Sequence, residues 1–179
     1  GLDLPFVTLV GVISADIALG LPDYNTGERV FQVLAQVAGR AGRGLLGGRV
    51  IIQTYQPEHY AIQAAADHDY AGFYLEEIRF RTQRALPPFR RMARLLVADP
   101  VDERAKRVAE DMARVLATAV REKALAATEI LGPTPAFFTR LDGRYRWHII
   151  IYSPDPHRLL DDLPIPRPWV VDIDPESTL

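Results

Sequence analysis

Gln36, Gly39, Arg40 and Arg43 fall in the pattern Q-x-x-G-R-x-G-R, read from Gln36-Val37-Ala38-Gly39-Arg40-Ala41-Gly42-Arg43. Phosphoryl transfer builds negative charge on the γ-phosphate oxygens, and a permanently charged arginine brought in from a second lobe stabilises that charge. Glycines keep such a loop free of side chains, so the guanidinium groups can reach across a cleft. A glutamine can orient water or a phosphate oxygen. The competing reading is a helix C-cap followed by solvated arginines. An isolated Gly-Arg pair favours that reading, whereas the whole pattern favours function.

Two further cationic sets stand out. Arg79, Arg81, Arg84, Arg90, Arg91 and Arg94 crowd a helix and the strand after it. They could track a nucleic-acid backbone, or form a solvated face partly paired with Glu76 and Glu77. Arg144, Arg146 and His148 alternate with Tyr145 and Trp147. Aromatics beside basic residues can stack on bases. Strand alternation, however, puts these rings on the opposite face from the charges, so the rings read as core and the arginines as phosphate contacts. His59, His68, His148 and His157 lack metal-ligand spacing, and no metal is expected here.

Alternating strands and helices must position these residues. Residues 7–13 (VTLVGVI) read as a strand buried on both faces of a parallel sheet. Asp16 follows its end, as a functional acid or a simple turn cap. Asn25 with Glu28 reads as a capping box that starts a helix near Thr26. Val30, Phe31, Val33, Leu34 and Val37 form its apolar stripe, and the helix runs into the glycine-arginine pattern. Residues 49–54 (RVIIQT) read as a second buried strand. Pro57 is expected in the first turn of a short helix that runs to about Ala66. An α/β pattern over 1–66 results.

A helix over 69–86 comes next, with Tyr70, Phe73, Tyr74 and Ile78 on one face, stopped by Pro87-Pro88. A strand at 93–97 precedes the clearest helix, 102–126. Its stripe runs Val101, Ala105, Val108, Ala109, Met112, Val115, Leu116, Ala119 and Val120. Residues 128–131 begin a strand interrupted by Pro133 and Pro135. Asp142-Gly143 marks a hairpin turn, followed by a half-buried strand at 144–151, a short helix at 157–163 and a strand at 169–173. The second region is therefore β-α-β-β-α-β, an α+β layer.

The chain has 179 residues, 48% of them hydrophobic, and a net charge of −2. It can bury a core, and any nucleic-acid contact must come from local patches rather than a global basic field. It has no cysteine, which excludes disulfides and thiolate metal sites within this segment. No run is long and apolar enough to span a membrane, and no signal peptide is recognisable, so a cytoplasmic location is expected. Gly1-Leu2-Asp3-Leu4-Pro5 has no Met and leads at once into a buried-looking strand, so the chain reads as part of something longer.

The pattern at 36–43 resembles motif VI of superfamily-2 helicases. The rest of the chain narrows this to the primosomal replication-restart helicases of bacteria, the PriA or primosomal protein N′ family. GLDLPFVTLV with the following SAD resembles that family's motif V and the acidic strand end after it. QVAGRAGR and GGRVIIQTYQPEHYAI resemble motif VI and the next strand. YAGFYLEEIRFRTQRALPPF, LGPTPAFFTRLDGRYRWHIII and WVVDIDP resemble the family's later segments, in order and over nearly the whole chain.

The resemblance implies the remainder of a RecA-like helicase lobe 2 over 1–66, a connecting helix and PPF segment over 67–88, and a C-terminal α+β domain over 89–179. It implies an ATP-dependent 3′-to-5′ DNA helicase for primosome assembly and replication restart. Arg43 is similar to the arginine finger, Arg40 to the second phosphate-facing arginine and Gln36 to the motif VI glutamine. Gly1 and Asp3 resemble the end of motif V, and Gly39 belongs to the nucleotide-facing loop. Arg90, Arg91, Arg144 and Arg146 are the DNA-contact candidates. Implied partners are forked or single-stranded DNA, single-stranded-DNA-binding protein and primosome proteins.

ATP and Mg²⁺ are implied for the complete protein, and zinc for an upstream region. None is expected bound to this segment. It contains no G-x-x-x-x-G-K-[ST] and no D-E-x-H, so it is expected to supply one side of an ATP site and no hydrolysis alone. The alternative is a free-standing, non-enzymatic module that binds DNA or a partner.

Overall fold

A computed structural model describes residues 8–41 and 48–179. The chain divides into two compact units, with the boundary between Arg84 and Ala85. The described residues form two sheets and six helices, a mixed α/β architecture.

The first unit contains β1 (Leu9–Val12), α1 (Asp16–Leu19), α2 (Thr26–Ala41), β2 (Arg49–Ile52), α3 (Tyr60–Ala66) and α4 (Tyr70–Gln83). β1 and β2 pair in parallel, from Leu9 opposite Arg49 to Val12 opposite Ile52. Parallel neighbours need a long crossover, and α2 lies within it. The expectation of strands buried on both faces is corrected within this chain: Leu9 is 58% and Ile51 55% exposed. The alternate residues Val12 and Ile52 pack on the core of Val30, Phe31, Leu34, Ala61, Ile62 and Phe73. A strand pair with its helices packed on alternate side chains leaves the others outward.

On α2, Val30, Phe31 and Leu34 are buried, while Val33 of the expected stripe is exposed. α3 starts after Pro57, capped by His59, whose Nδ1 accepts from the Ala61 N–H at 3.2 Å. Asp69 caps α4 by accepting from the Gly72 N–H at 2.8 Å.

The face that α4 buries also differs from expectation. Phe73 stacks on Phe31 at 4.1 Å between centroids, but Tyr70 and Tyr74 are exposed. The buried positions are Phe73, Glu77 and Arg81, one per turn. α4, expected as part of a connecting segment, thus belongs to the first unit.

The second unit contains β3 (Arg91–Asp99), α5 (Asp102–Glu122), β4 (Glu129–Leu141), β5 (Arg144–Ser153), α6 (His157–Leu160) and β6 (Val170–Ile173). The sheet order is β4-β5-β3-β6, and the pairs β4–β5, β5–β3 and β3–β6 are antiparallel. This is the split-βαβ arrangement that the β-α-β-β-α-β order allows.

α5 lays Ala105, Ala109, Met112, Leu116 and Ala119 on Ala93, Leu95, Val97, Trp147, Ile149 and Ile151. Burying each large side chain contributes about 1.5–3 kcal/mol. Val101 and Val115, counted in the expected stripe, are exposed. Trp147 donates its indole N–H to Asp102 at 2.8 Å, which ties β5 to the first turn of α5.

β4 runs through Pro133 and Pro135 rather than stopping at them. It is an edge strand, where a missing N–H leaves no ladder partner unsatisfied. The cost is paid in register, which shifts between Leu131 and Thr134 and again between Pro135 and Arg140. Asp142 and Gly143 turn the hairpin with φ of 50° and 75°. Positive φ at both positions is what a type I′ turn requires.

Candidate functional site

The glycine-arginine pattern is only partly within the described residues. Gln36 sits exposed on α2, and Gly39 and Arg40 continue the same helix. Positions 36 and 40 are four apart, hence on one helix face. A Cβ at Gly39 would meet nothing within 4 Å, so packing does not demand glycine there. Arg43, Gly1 and Asp3 lie outside the described residues.

Asp16 accepts from the Thr54 hydroxyl at 2.7 Å and from the Tyr55 N–H at 2.9 Å. These two bonds hold its carboxyl below the usual carboxylate range. The carboxylate thus fastens the chain after β1 to the chain after β2, which is a structural role.

The helix opens on a buried polar network. Glu77 accepts from the Tyr60 hydroxyl at 2.6 Å and from Arg81 Nε at 2.6 Å. Arg81 also donates to Glu28 on α2 at 2.8 Å and covers the Tyr24 ring. Burial, then the bond to Glu77, pushes the Tyr60 hydroxyl pKa far up. Gly27 lets α2 come this close, because a Cβ there would collide with Tyr60 Oη and Glu77 Oε2.

The arginines after this helix are also engaged. Arg90 donates to Glu129 at 2.9 Å, to the Ala127 carbonyl at 3.0 Å and to the Tyr152 carbonyl at 3.2 Å. Arg91 donates through Nε at 2.9 Å and Nη2 at 2.6 Å to Asp174. Arg94 donates to the Leu179 carbonyl at 2.7 Å and lies 3.5 Å from Asp172. Arg79 pairs with Glu76 at the surface. These contacts tie segments of the fold together, and Arg90 and Arg91 offer fewer free donors to phosphate than their spacing implies.

Arg144 and Arg146 differ. On β5, Tyr145, Trp147, Ile149 and Ile151 turn to the core beneath α5, so Arg144, Arg146 and His148 line the other face. Among the described residues no carboxylate lies within 4.0 Å of a nitrogen of Arg140, Arg144 or Arg146. Sequence reasoning missed three neighbours on β4. Phe137 and Phe138 are 47% and 53% exposed, and Arg140 covers the Tyr145 ring at 5.1 Å. The available signal was a pair of phenylalanines directly before a hairpin turn.

His148 sits half-buried among these cations, and its Nδ1 finds no hydrogen-bond partner. Burial, then Arg94 and Arg146, holds its pKa below the ordinary histidine value of 6.5. The unfolded chain therefore takes up this proton first on acidification. Stability from this group is complete above about pH 6.5 and falls as pH drops through the folded pKa. NMR titration of the ring is expected to give a midpoint below 6.5, and a midpoint above it would mean that a partner carboxylate outweighs the arginines.

Among the described residues no group of three or more His, Asp or Glu side chains gathers as a metal-ligand set. No helix among them is long and apolar enough to cross a membrane.

Residues 82–176 match the family model of the primosomal protein N C-terminal domain. The chain is 44% identical to replication restart protein PriA of Bacillus subtilis over 84% of its length, and 43% identical to that of Synechocystis over 86%. It is 32% identical to that of Treponema pallidum over its whole length. It spans 18% of the first two relatives and 28% of the third. The chain belongs to the family of the primosomal protein N C-terminal domain.

Proposed function

We propose that this chain is the C-terminal part of an ATP-dependent 3′-to-5′ DNA helicase that serves primosome assembly and replication restart. The observation that carries this reading is the likeness to replication restart proteins over 84% of the chain or more. The βαβ pairing of β1, α2 and β2 supports reading the first unit as the remainder of a RecA-like lobe 2. In this reading α2 presents Gln36, Gly39 and Arg40 toward nucleotide, and Arg43 is the arginine finger. Gly1 and Asp3 end motif V. A P-loop and an Mg²⁺-holding acid must come from other parts of the complete protein, as must any zinc ligands. This chain alone is expected to hydrolyse no ATP.

The second unit then serves as a DNA- and partner-binding domain. Forked or single-stranded DNA, single-stranded-DNA-binding protein and primosome proteins are the proposed partners. Arg144 and Arg146 are the strongest phosphate contacts, with Arg90 and Arg91 secondary because of their internal bonds. Fluorescence anisotropy with forked and single-stranded DNA, stepped through salt, tests this. Affinity is expected to fall steeply as salt rises, since bound arginines displace counterions. Absence of binding at low salt would remove DNA contact from this part of the protein.

A further inference from the structure

The arm formed by the ends of β4 and β5 carries apolar surface that the fold itself does not use. β3 pairs with β5 as far as Tyr145, opposite Asp99, so only Arg144 and the turn reach beyond it. The register shift between Pro135 and Arg140 spans Phe137 and Phe138, which meet edge to face at 5.1 Å. About half of each ring faces solvent. Leu141, also exposed, follows at the turn.

The charge on this arm has one sign. Arg140, Arg144 and Arg146 surround the rings in sequence, against a single carboxylate at Asp142. Arg140 covers the Tyr145 ring, on the opposite face from Arg144 and Arg146, and Arg146 Nη1 points at the Phe138 carbonyl at 3.5 Å. The cations are thus placed by the same arm that carries the rings. Cations of one sign beside exposed rings match a phosphate backbone rather than an uncharged peptide strand. The cavity lined by Ala124, Leu125, Thr128, Ser153, Asp155 and Arg158 lies at the opposite end of β5. An exposed ring beside arginines needs no pocket, because every base offers a π-face.

We propose that this arm is a stacking platform for unpaired bases, with Phe137 and Phe138 taking bases of single-stranded DNA and Arg144 and Arg146 its phosphates. The proposal rests on the DNA-binding reading above and says which part of a fork the arm engages. Duplex DNA hides its π-faces in the stack, so the rings favour the strand that has none of its bases paired.

The test uses the full 179-residue chain, with a dT-rich single strand carrying 2-aminopurine and a blunt duplex of equal length as probes. Phe137→Ala with Phe138→Ala is expected to weaken single-strand binding about ten-fold or more, abolish 2-aminopurine quenching and leave duplex affinity unchanged. Phe137→Tyr with Phe138→Trp keeps the rings and is expected to keep both signals, which separates stacking from damage to the fold. Arg144→Ala with Arg146→Ala is expected to weaken both probes. Binding of both probes unchanged by the alanine pair, or weakened equally, overturns the stacking platform while DNA contact survives. Failure of the wild-type chain to bind either probe overturns the DNA-binding reading and the platform with it.

Discussion

Arg43→Ala in the complete protein is expected to lower ATP hydrolysis by about 10³- to 10⁵-fold, the contribution of an arginine finger to phosphoryl transfer, while ATP still binds. The charge that such an arginine meets is greatest in the transition state. Its loss therefore falls on turnover more than on ground-state affinity. Gln36 and Arg40 lie on α2, and Arg43 follows them in the sequence pattern. Arg43→Lys keeps the charge but loses the planar fork, so an intermediate rate is expected. Steady-state hydrolysis with saturating single-stranded DNA, beside binding of a fluorescent ATP analogue, separates the two effects. Normal turnover in Arg43→Ala would assign the finger role elsewhere, and equal loss of ATP binding would make Arg43 a ground-state ligand.

Glu77→Ala should cost the first unit about 3 kcal/mol or more, the scale for removing one partner of a buried ion pair. The Glu77 and Arg81 side chains are only 8% and 11% exposed, and Tyr60 would lose its acceptor as well. Arg81 keeps Glu28 at 2.8 Å, which limits the loss to the lower part of the range. Arg79→Ala is the matched control, since its pair with Glu76 is exposed at 67% and 51% and is worth less than about 1 kcal/mol. Urea unfolding, followed by a probe in each unit because two units need not melt together, would show the difference. A Glu77→Ala midpoint equal to that of Arg79→Ala would mean that the network contributes nothing beyond surface pairing.

This network also marks where sequence reading stopped. Periodicity on α5 and alternation on β5 announced their buried faces, because each places like residues at the element's own period. On α4 the same logic chose Tyr70 and Tyr74, which are exposed, over Glu77 and Arg81, which are buried. Apolar periodicity cannot see a carboxylate and a guanidinium that satisfy each other on α4 and reach Tyr60 on α3 and Glu28 on α2. The prolines of β4 were misleading for a related reason. Whether Pro133 and Pro135 break a strand depends on which side of it a neighbour lies, and only the sheet order makes β4 an edge.

By itself the sequence determined the order of the longer elements, though not the short α1 or the continuity of β4, together with the hairpin at Asp142-Gly143 and the family likeness of its glycine-arginine and GRYRW segments, since these are local in the chain. Tertiary structure decided which arginines are occupied. Arg90, Arg91 and Arg94 meet partners up to 85 positions away in the chain, whereas Arg144 and Arg146 share an arm with two exposed phenylalanines. Charge and spacing are properties of a segment, but the availability of a cation depends on what the rest of the chain brings within reach.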